Sequence, residues 1–261
     1  MLTGNSVNPI YEFQNVFIRT DKSSLDVTNQ VPWNWSIGSG ERLAVLTSNA
    51  FLRYQLIAVL AGLVPAVAGR QLRNGVISWP LGGEGGLDSK LKIRYNVEFV
   101  CELYQDRLRP DQFSLEEFWT LLAGHGIKSQ NVLRELSSFQ KSMFFIALSL
   151  LFSFDLHLVP QKQFLMSRAA RSLRNMFLKQ SQNSAVLTTS TNARFLRQCC
   201  NRGLVLSPYG EPLFFGGLDE ALTRFNQNLN QVENDDPEDS LMQEINLQNS
   251  DRETDIQDEI L

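Results

Sequence analysis

The segment at residues 43–62 constrains the fold of this chain more than any other. Its first four residues, LAVL, are all apolar and predict a buried strand. A short turn follows, and a largely apolar segment then ends at Ala61-Gly62 with Pro65 close behind, which predicts a helix over residues 54–63. A buried strand that leads through a turn into a helix is typical of parallel α/β proteins.

Strand and helix patterns alternate through the rest of the chain. Alternating apolar residues at Trp33, Trp35 and Ile37 predict a half-buried strand, and turns at Gly69 and Asn74-Gly75 predict a short hairpin. Further strands are predicted at residues 76–79, 156–159, 185–187 and 203–206, with helices between them. We therefore predict an α/β domain at residues 1–230 with a mostly parallel sheet, a small antiparallel β part and a helical insertion at about residues 98–150.

Charge divides the chain into two parts. Residues 1–230 carry a net charge of +6, whereas residues 231–261 carry −10. The acidic segment is too polar to form a core, and we predict a disordered tail there. The basic body suggests an anionic neighbour such as a membrane surface, and a basic face in contact only with water is the alternative.

Cysteine and histidine positions argue against a zinc site or a catalytic triad. Cys101, Cys199 and Cys200 lack metal-ligand spacing, and His125 and His157 are far apart in the sequence. The longest apolar run, residues 143–154, is shorter than the ~20 residues that a membrane-spanning helix needs. No signal peptide is apparent. From the cysteine and histidine positions we expect no metal site.

The turn at residues 47–54 has the layout of a phosphate-binding loop. Such a loop uses glycine amides around phosphate, a lysine for its charge, and a hydroxyl for Mg²⁺. Here the glycine positions hold Thr47, Ala50 and Leu52, while Arg53 replaces the lysine and Tyr54 replaces the hydroxyl residue. Arg53 could contact a phosphate with two hydrogen bonds. The interpretation we favour is that its side chain points into solvent or pairs with a carboxylate.

The segment at residues 76–104 carries a more specific pattern. It contains Ile77-Ser78-Trp79-Pro80, a glycine-rich loop, and then Leu91, Asn96, Phe99, Val100 and Tyr104. Over roughly residues 15–222 the chain resembles the ATP-binding subunits of ABC transporters that export capsular or related cell-surface polysaccharides. Lys92 and Ile93 replace that family's threonine and glycine. The resemblance implies a P-loop NTPase-like core, the fold of ABC ATPases.

The family's other nucleotide motifs are altered where the resemblance locates them. The signature motif falls at Ser137, with Phe139 in place of a glycine. Pro160-Gln161 replace the Asp-Glu that follows the Walker B strand, and Ser190 replaces the switch histidine. We therefore predict a pseudo-ATPase that is not an enzyme, has no catalytic residues, and binds neither ATP nor Mg²⁺.

The resemblance implies a partner and a location. We expect an inactive structural or regulatory subunit of a glycan exporter, peripheral on the cytoplasmic face of the cell membrane and bound to a membrane permease. A second ABC-type subunit could form a homodimer or heterodimer with it, and no nucleic acid is expected. The alternatives are a protein-binding scaffold that has left the transporter, or an ATPase with an unorthodox site. The predicted permease-facing residues are Trp79, Pro80, Gly82, Gly83, Leu91 and Asn96.

Overall fold

A computed structural model describes residues 9–21, 30–83, 86–161 and 163–235. In these residues the strands are β1 (Pro9–Phe17), β2 (Trp33–Gly38), β3 (Arg42–Leu46), β4 (Ala68–Arg73), β5 (Leu156–Val159), β6 (Ala185–Thr188), β7 (Arg202–Leu206) and β8 (Pro212–Gly217). The α-helices are α1 (Ala50–Leu60), α2 (Ile93–Leu103), α3 (Leu115–Gly124), α4 (Ser138–Ser149), α5 (Gln163–Met166), α6 (Arg171–Gln180), α7 (Ala193–Cys199) and α8 (Leu218–Asp235).

The central sheet has five strands in the order β5-β6-β3-β7-β8. Its first four strands are parallel, and β8 pairs antiparallel with β7 at the edge. Strands β5 and β6 are buried along their whole length, as expected when helices or a second sheet cover both faces. The predicted α/β fold with a mostly parallel sheet is confirmed.

A second, antiparallel sheet has the order β2-β1-β4. The predicted alternation in β2 is present, because Trp33, Trp35 and Ile37 are buried and the residues between them are more exposed. Phe13 of β1 packs edge-on against both tryptophan rings, with centroid distances of 6.0 Å and 4.7 Å. Cross-strand aromatic contacts of this kind fix the register of the sheet.

Two hydrophobic cores cover the two faces of the five-stranded sheet. In β3, Ala44 and Leu46 face a core shared with α4, α6, α7 and α8. Leu43 and Val45 face the opposite core, which is shared with α1 and the antiparallel sheet. This division follows from the two-residue period of a strand.

Helices α2, α3 and α4 form the helical part. Capping boxes start α3 at Ser114 with Glu117 and α4 at Ser137 with Gln140, where the two residues satisfy each other's backbone N–H groups. The helical part begins at Ile93, five residues before the predicted boundary.

Three predicted boundaries require correction. Helix α1 begins at Ala50 instead of residue 54, because Asn49 caps it. Residues 76–79 form no regular strand: Ile77 makes a single parallel bridge to β5, and Pro80 has no N–H to extend the pairing. Helix α8 continues to Asp235, five residues into the segment predicted as a tail. The rest of that segment, residues 236–261, lies outside the described residues.

Candidate functional site

A cleft of about 600 Å³ opens beside α1, at the edge of the sheet where the parallel strands end. Ligands of open α/β sheets bind at that edge. Most of the lining is apolar, and Arg53 supplies its positive charge. The lining residues are Ala50, Arg53, Tyr54, Ile57, Ala58, Leu63, Pro80, Gly83, Pro160, Gln161 and Thr189.

Asn49 holds the loop in front of α1. Its side-chain oxygen accepts a hydrogen bond from the Leu52 amide at 2.9 Å. Its side-chain nitrogen donates to the carbonyls of Thr20 and Pro208, both at 2.7 Å. The side chain therefore caps the helix and joins three chain segments, so the loop is closed by bonds within the protein.

Arg53 folds back onto the same loop. Its guanidinium donates to the Thr47 carbonyl, and burial lowers the pKa of Arg53 from its ordinary value. The favoured interpretation, a side chain in solvent or paired with a carboxylate, is therefore wrong. The hydroxyl of Thr47 is also engaged, because it donates to the Ser207 carbonyl at 3.2 Å.

The structure brings together only part of the predicted nucleotide site. Ala50, Arg53, Tyr54, Pro160 and Gln161 share the cleft. The side chains of two other predicted residues, Leu52 and Ser190, are buried away from it in the protein interior, with relative exposures of 0% and 2%.

The two signature positions lie in the helical part. Ser137 caps α4, and Phe139 packs against His125 and Phe164, with ring centroids 5.9 Å and 5.4 Å away. Neither position lines the cleft beside α1.

The loop residues do not fit a triphosphate held as a glycine-rich loop holds it. Such binding needs open backbone amides and a free cation at the start of the helix. Here Asn49 already accepts from the Leu52 amide, and Arg53 donates to a carbonyl. The described lining also contains no carboxylate to hold Mg²⁺.

The predicted permease-facing residues divide into supporting and exposed positions. Trp79 is half-buried and donates its indole N–H to Ser149 Oγ at 2.9 Å. Asn96 is buried and holds Asp88, accepting from its amide at 3.0 Å and donating to its carbonyl at 2.9 Å. The side chain of Asn96 therefore cannot itself meet a partner, whereas Leu91 is exposed.

The other three members of that set lie in a tight turn between Trp79 and the helical part. The Gly83 amide donates to the Pro80 carbonyl at 2.8 Å. Gly82 has a φ of +71°, a left-handed conformation that glycine adopts readily. Pro80, Gly82 and Gly83 are partly exposed, so their assignment stays a prediction.

His157 is a buried titratable group in β5, near Arg42 at the start of β3. Burial and the nearby positive charge of Arg42 lower its pKa to about 4, against a smaller opposing effect of Asp155. Its ring packs edge-on against the rings of Phe154 and Phe177, and both centroid distances are 5.7 Å. The imidazole is therefore a neutral part of the core.

Three curated proteins that are similar to this chain are named as ATP-binding proteins. It is 26% identical over 193 residues to the polysialic acid transport ATP-binding protein KpsT of Escherichia coli, covering 73% of this chain and 86% of that protein. It is 25% identical to the capsule polysaccharide export ATP-binding protein CtrD of Neisseria meningitidis, covering 74% and 88%. The ATP-binding protein BexA of Haemophilus influenzae is 26% identical with the same coverage. The chain is therefore similar in sequence to ATP-binding proteins of polysaccharide transport and export.

The resemblance predicted from the sequence is thereby confirmed. A solved metal-chelate type ABC transporter in an inward-facing conformation supports the fold, with a TM-score of 0.55 and 17% identity over 84% of this chain and 89% of that one. No protein-family profile matches the chain.

The same relatives correct one prediction. The chain was predicted not to be an enzyme, but these three relatives are named as ATP-binding proteins, two of them of polysaccharide transport or export. That prediction is therefore wrong: the altered residues of the α1 loop and of the other nucleotide motifs do not establish a loss of activity.

Sequence reasoning missed the role of Asn49 in closing the loop. Asparagine directly before a helix is a common N-cap, so this signal was present in the sequence. The contribution of Thr189 and Leu63 to the cleft depends on tertiary packing and has no such signal. None of the helices among the described residues combines the length and apolar character needed to cross a bilayer.

Proposed function

We propose that this chain is the ATP-binding-type subunit of a transporter that exports a cell-surface polysaccharide. It works on the cytoplasmic face of the membrane, bound to a permease through α2. The observation that carries this proposal is a stripe of exposed apolar residues along α2 and just before it, named here the α2 stripe. It consists of Leu91, Tyr95, Phe99 and Leu103, which are 44%, 42%, 57% and 62% exposed.

The spacing of the α2 stripe gives it one orientation. Tyr95, Phe99 and Leu103 are four residues apart, and residues at that spacing lie on one side of a helix. Leu91 precedes the first residue of α2 by two positions. A neighbouring side of α2, about 120° round the helix, carries Ile93, Val97 and Val100, which are buried in the core. Helix α2 is therefore apolar on two sides, although a helix at a protein surface needs only one apolar side. A continuous exposed apolar surface marks a site of protein contact.

Support from the body of the protein makes the α2 stripe a firm surface. The Ile93 amide donates to the Asn131 carbonyl at 2.9 Å, and the Leu91 carbonyl accepts from the Leu133 amide at 3.1 Å. Asn96 ties the helix to the preceding loop at Asp88. A helix held in this way loses little conformational entropy on binding, which favours affinity.

Membrane association tests this proposal. Tagged full-length protein is expressed in its native cell and purified through the tag. The permease that is recovered with it is then measured. The Phe99→Ser/Leu103→Ser variant is compared with Leu213→Ser, a control that removes an exposed leucine, 48% exposed, from β8. Truncating a central apolar contact costs about 2 kcal/mol or more of binding energy. We therefore expect roughly thirtyfold or greater loss of permease binding for the stripe variant and none for the control.

Three outcomes would count against docking through α2. The first is equal recovery of the permease with the two variants. The second is that the protein is recovered only with soluble glycan-synthesis enzymes, and the third is that no protein with the topology of a permease is recovered with it. The second outcome would favour the scaffold alternative. Equal melting temperatures of the variants would exclude unfolding as the cause of a loss.

We also propose that the loop before α1 does not hold a triphosphate. Support comes from its internal bonds, in which Asn49 and Arg53 are already engaged. Mg-ATP is titrated calorimetrically into the wild type, Arg53→Gln and the surface control Arg134→Gln. We expect the same heats for all three. A loss of binding specific to Arg53→Gln would contradict this proposal and leave the proposal on docking intact.

A further inference from the structure

A second cavity, of about 500 Å³, lies between the start of α6 and the start of α7. We call it the arginine cavity. Among the described residues its lining contains four arginines and no carboxylate, with amides providing most of the other polar groups. The lining residues are Met166, Ser167, Arg168, Arg171, Arg174, Asn175, Asn192, Arg194, Phe195 and Gln198.

The arginine cavity lies in the most basic part of the chain. Residues 156–200 contain seven lysines and arginines and no aspartate or glutamate. This segment therefore supplies more positive charge than the net +6 of residues 1–230. Helix α6 adds to the positive potential, because its first turn has no acidic residue and no side chain caps it.

Three of the four arginines are available to a ligand. Arg174 supports the fold, donating to the carbonyls of Leu165 at 2.7 Å and Ser167 at 3.2 Å. Among the described residues, Arg168, Arg171 and Arg194 form no ion pair, and all three are exposed. Guanidinium groups bind carboxylates with two parallel hydrogen bonds. The cavity is therefore suited to a carboxylate-rich ligand.

The second half of α8 lies on the same face and at the same edge of the sheet. Through Phe225, Asn228 and Leu229 it lines a small cavity together with Ser48 and Ser207, which follow β3 and β7. The helix ends six residues later at Asp235, about 9 Å further along its axis. Arg194 follows β6, the neighbour of β3 in the sheet. Helices α6, α7 and α8 pack into one core, so they cover one face. Adjacent strands are about 4.8 Å apart, so these points are close across the sheet.

We propose that the arginine cavity binds residues 236–261 of the same chain. This segment follows α8 directly and contains nine acidic residues and one arginine. Its 26 residues span up to about 85 Å when extended, far more than the separation across three strands requires. Binding would neutralise the basic face, and another anionic partner would have to displace the segment to reach it.

Crosslinking in the full-length chain tests the contact directly. The Arg171→Lys variant keeps the positive charge and provides an amine, which a carbodiimide joins to a carboxylate only when the two are in contact. Arg197→Lys is the matched control, because Arg197 Nε lies 3.0 Å from an Asp219 carboxylate oxygen. We expect Lys at 171 to couple to residues 236–261 and Lys at 197 to couple to Asp219.

Isotope mixing shows which chain supplies the carboxylate. Labelled and unlabelled protein are mixed before coupling, and the crosslinked peptides are identified by mass spectrometry. Crosslinks within one chain support the proposal. Crosslinks that join two copies, or coupling only at the Arg197→Lys control, would overturn it.

A second measurement uses the wild-type protein and needs no variant. Phenylglyoxal modifies accessible arginines, and its rate at Arg168, Arg171 and Arg194 is compared with exposed Arg134. Salt of about 0.02 M and about 0.5 M gives Debye lengths of roughly 20 and 4 Å. We expect several-fold protection at low salt that disappears at high salt. No protection, or protection only after vesicles of anionic phospholipid are added, would refute the contact.

Discussion

Replacing Asn49 by alanine should destabilise the protein far more than the same change at Asn192. Both side chains cap a helix by accepting a backbone N–H at 2.9 Å, from Leu52 and from Phe195. Only Asn49 also donates to two carbonyls, those of Thr20 and Pro208. An asparagine cap is worth about 1 kcal/mol, and each added hydrogen bond about 1 kcal/mol. We expect losses of about 3 kcal/mol for Asn49→Ala and about 1 kcal/mol for Asn192→Ala.

Aspartate substitutions separate the two contributions. Asn49→Asp keeps an oxygen for the cap but loses both donated bonds, so we expect a loss of about 2 kcal/mol. Asn192→Asp keeps the only bond that Asn192 makes through its side-chain oxygen and should be nearly neutral. Urea unfolding followed by tryptophan fluorescence measures all four variants, because Trp33 donates to the Gly210 carbonyl at 2.7 Å close to the loop.

The comparison is valid only if the dependence of the unfolding free energy on urea stays the same in all variants. Equal losses for Asn49→Ala and Asn192→Ala would refute the reasoning. They would mean that the two donated bonds contribute nothing and that the loop is not closed by this side chain.

Two further predictions concern the core. His157 has a folded-state pKa of about 4, below its ordinary 6.5. The unfolded chain therefore binds the proton more tightly, and we expect stability to fall by up to about 3 kcal/mol as the pH drops from 6.5 to 4. Urea titrations of the wild type and His157→Gln across this range check it, and an equally steep fall in the variant would contradict it. A Cβ on Gly203 would lie 2.3 Å from the Cβ of Ala221, so Gly203→Ala should cost about 2 kcal/mol. Adding Ala221→Gly should recover part of that loss, and no recovery in the double variant would show that β7 and α8 do not meet at this point.

The sequence was sufficient for the elements whose pattern is local. The apolar run at residues 43–46 and the alternation at Trp33, Trp35 and Ile37 correctly predicted strands, because burial on one face or both imposes those periods. The bounds of α1 were less accurate, since the apolar pattern begins after the cap that starts the helix.

The candidate site depended on contacts that no local pattern records. The position of Arg53 was determined by the Thr47 carbonyl, six residues back, and that of Asn49 by segments 29 and 159 residues away. The apolar residues of α2 could be read from the sequence, but which side of the helix the core would cover could not. Enzymatic status was predicted wrongly because altered residues in the α1 loop and at the other nucleotide motifs were taken to show a loss of activity. The relatives are named as ATP-binding proteins, which contradicts that prediction.

The ring cluster around Trp79 has a mechanical consequence. The ring centroid of Trp79 lies 5.2 Å from that of Tyr104, at the end of α2. It lies 5.7 Å and 5.3 Å from the centroids of Phe152 and Phe154, which precede β5. The helical part shares this core with the sheet and has no separate one among the described residues. Since packed interiors resist compression and transmit strain, a push on α2 would move the helices and the sheet together. Heating should likewise melt both in one cooperative transition.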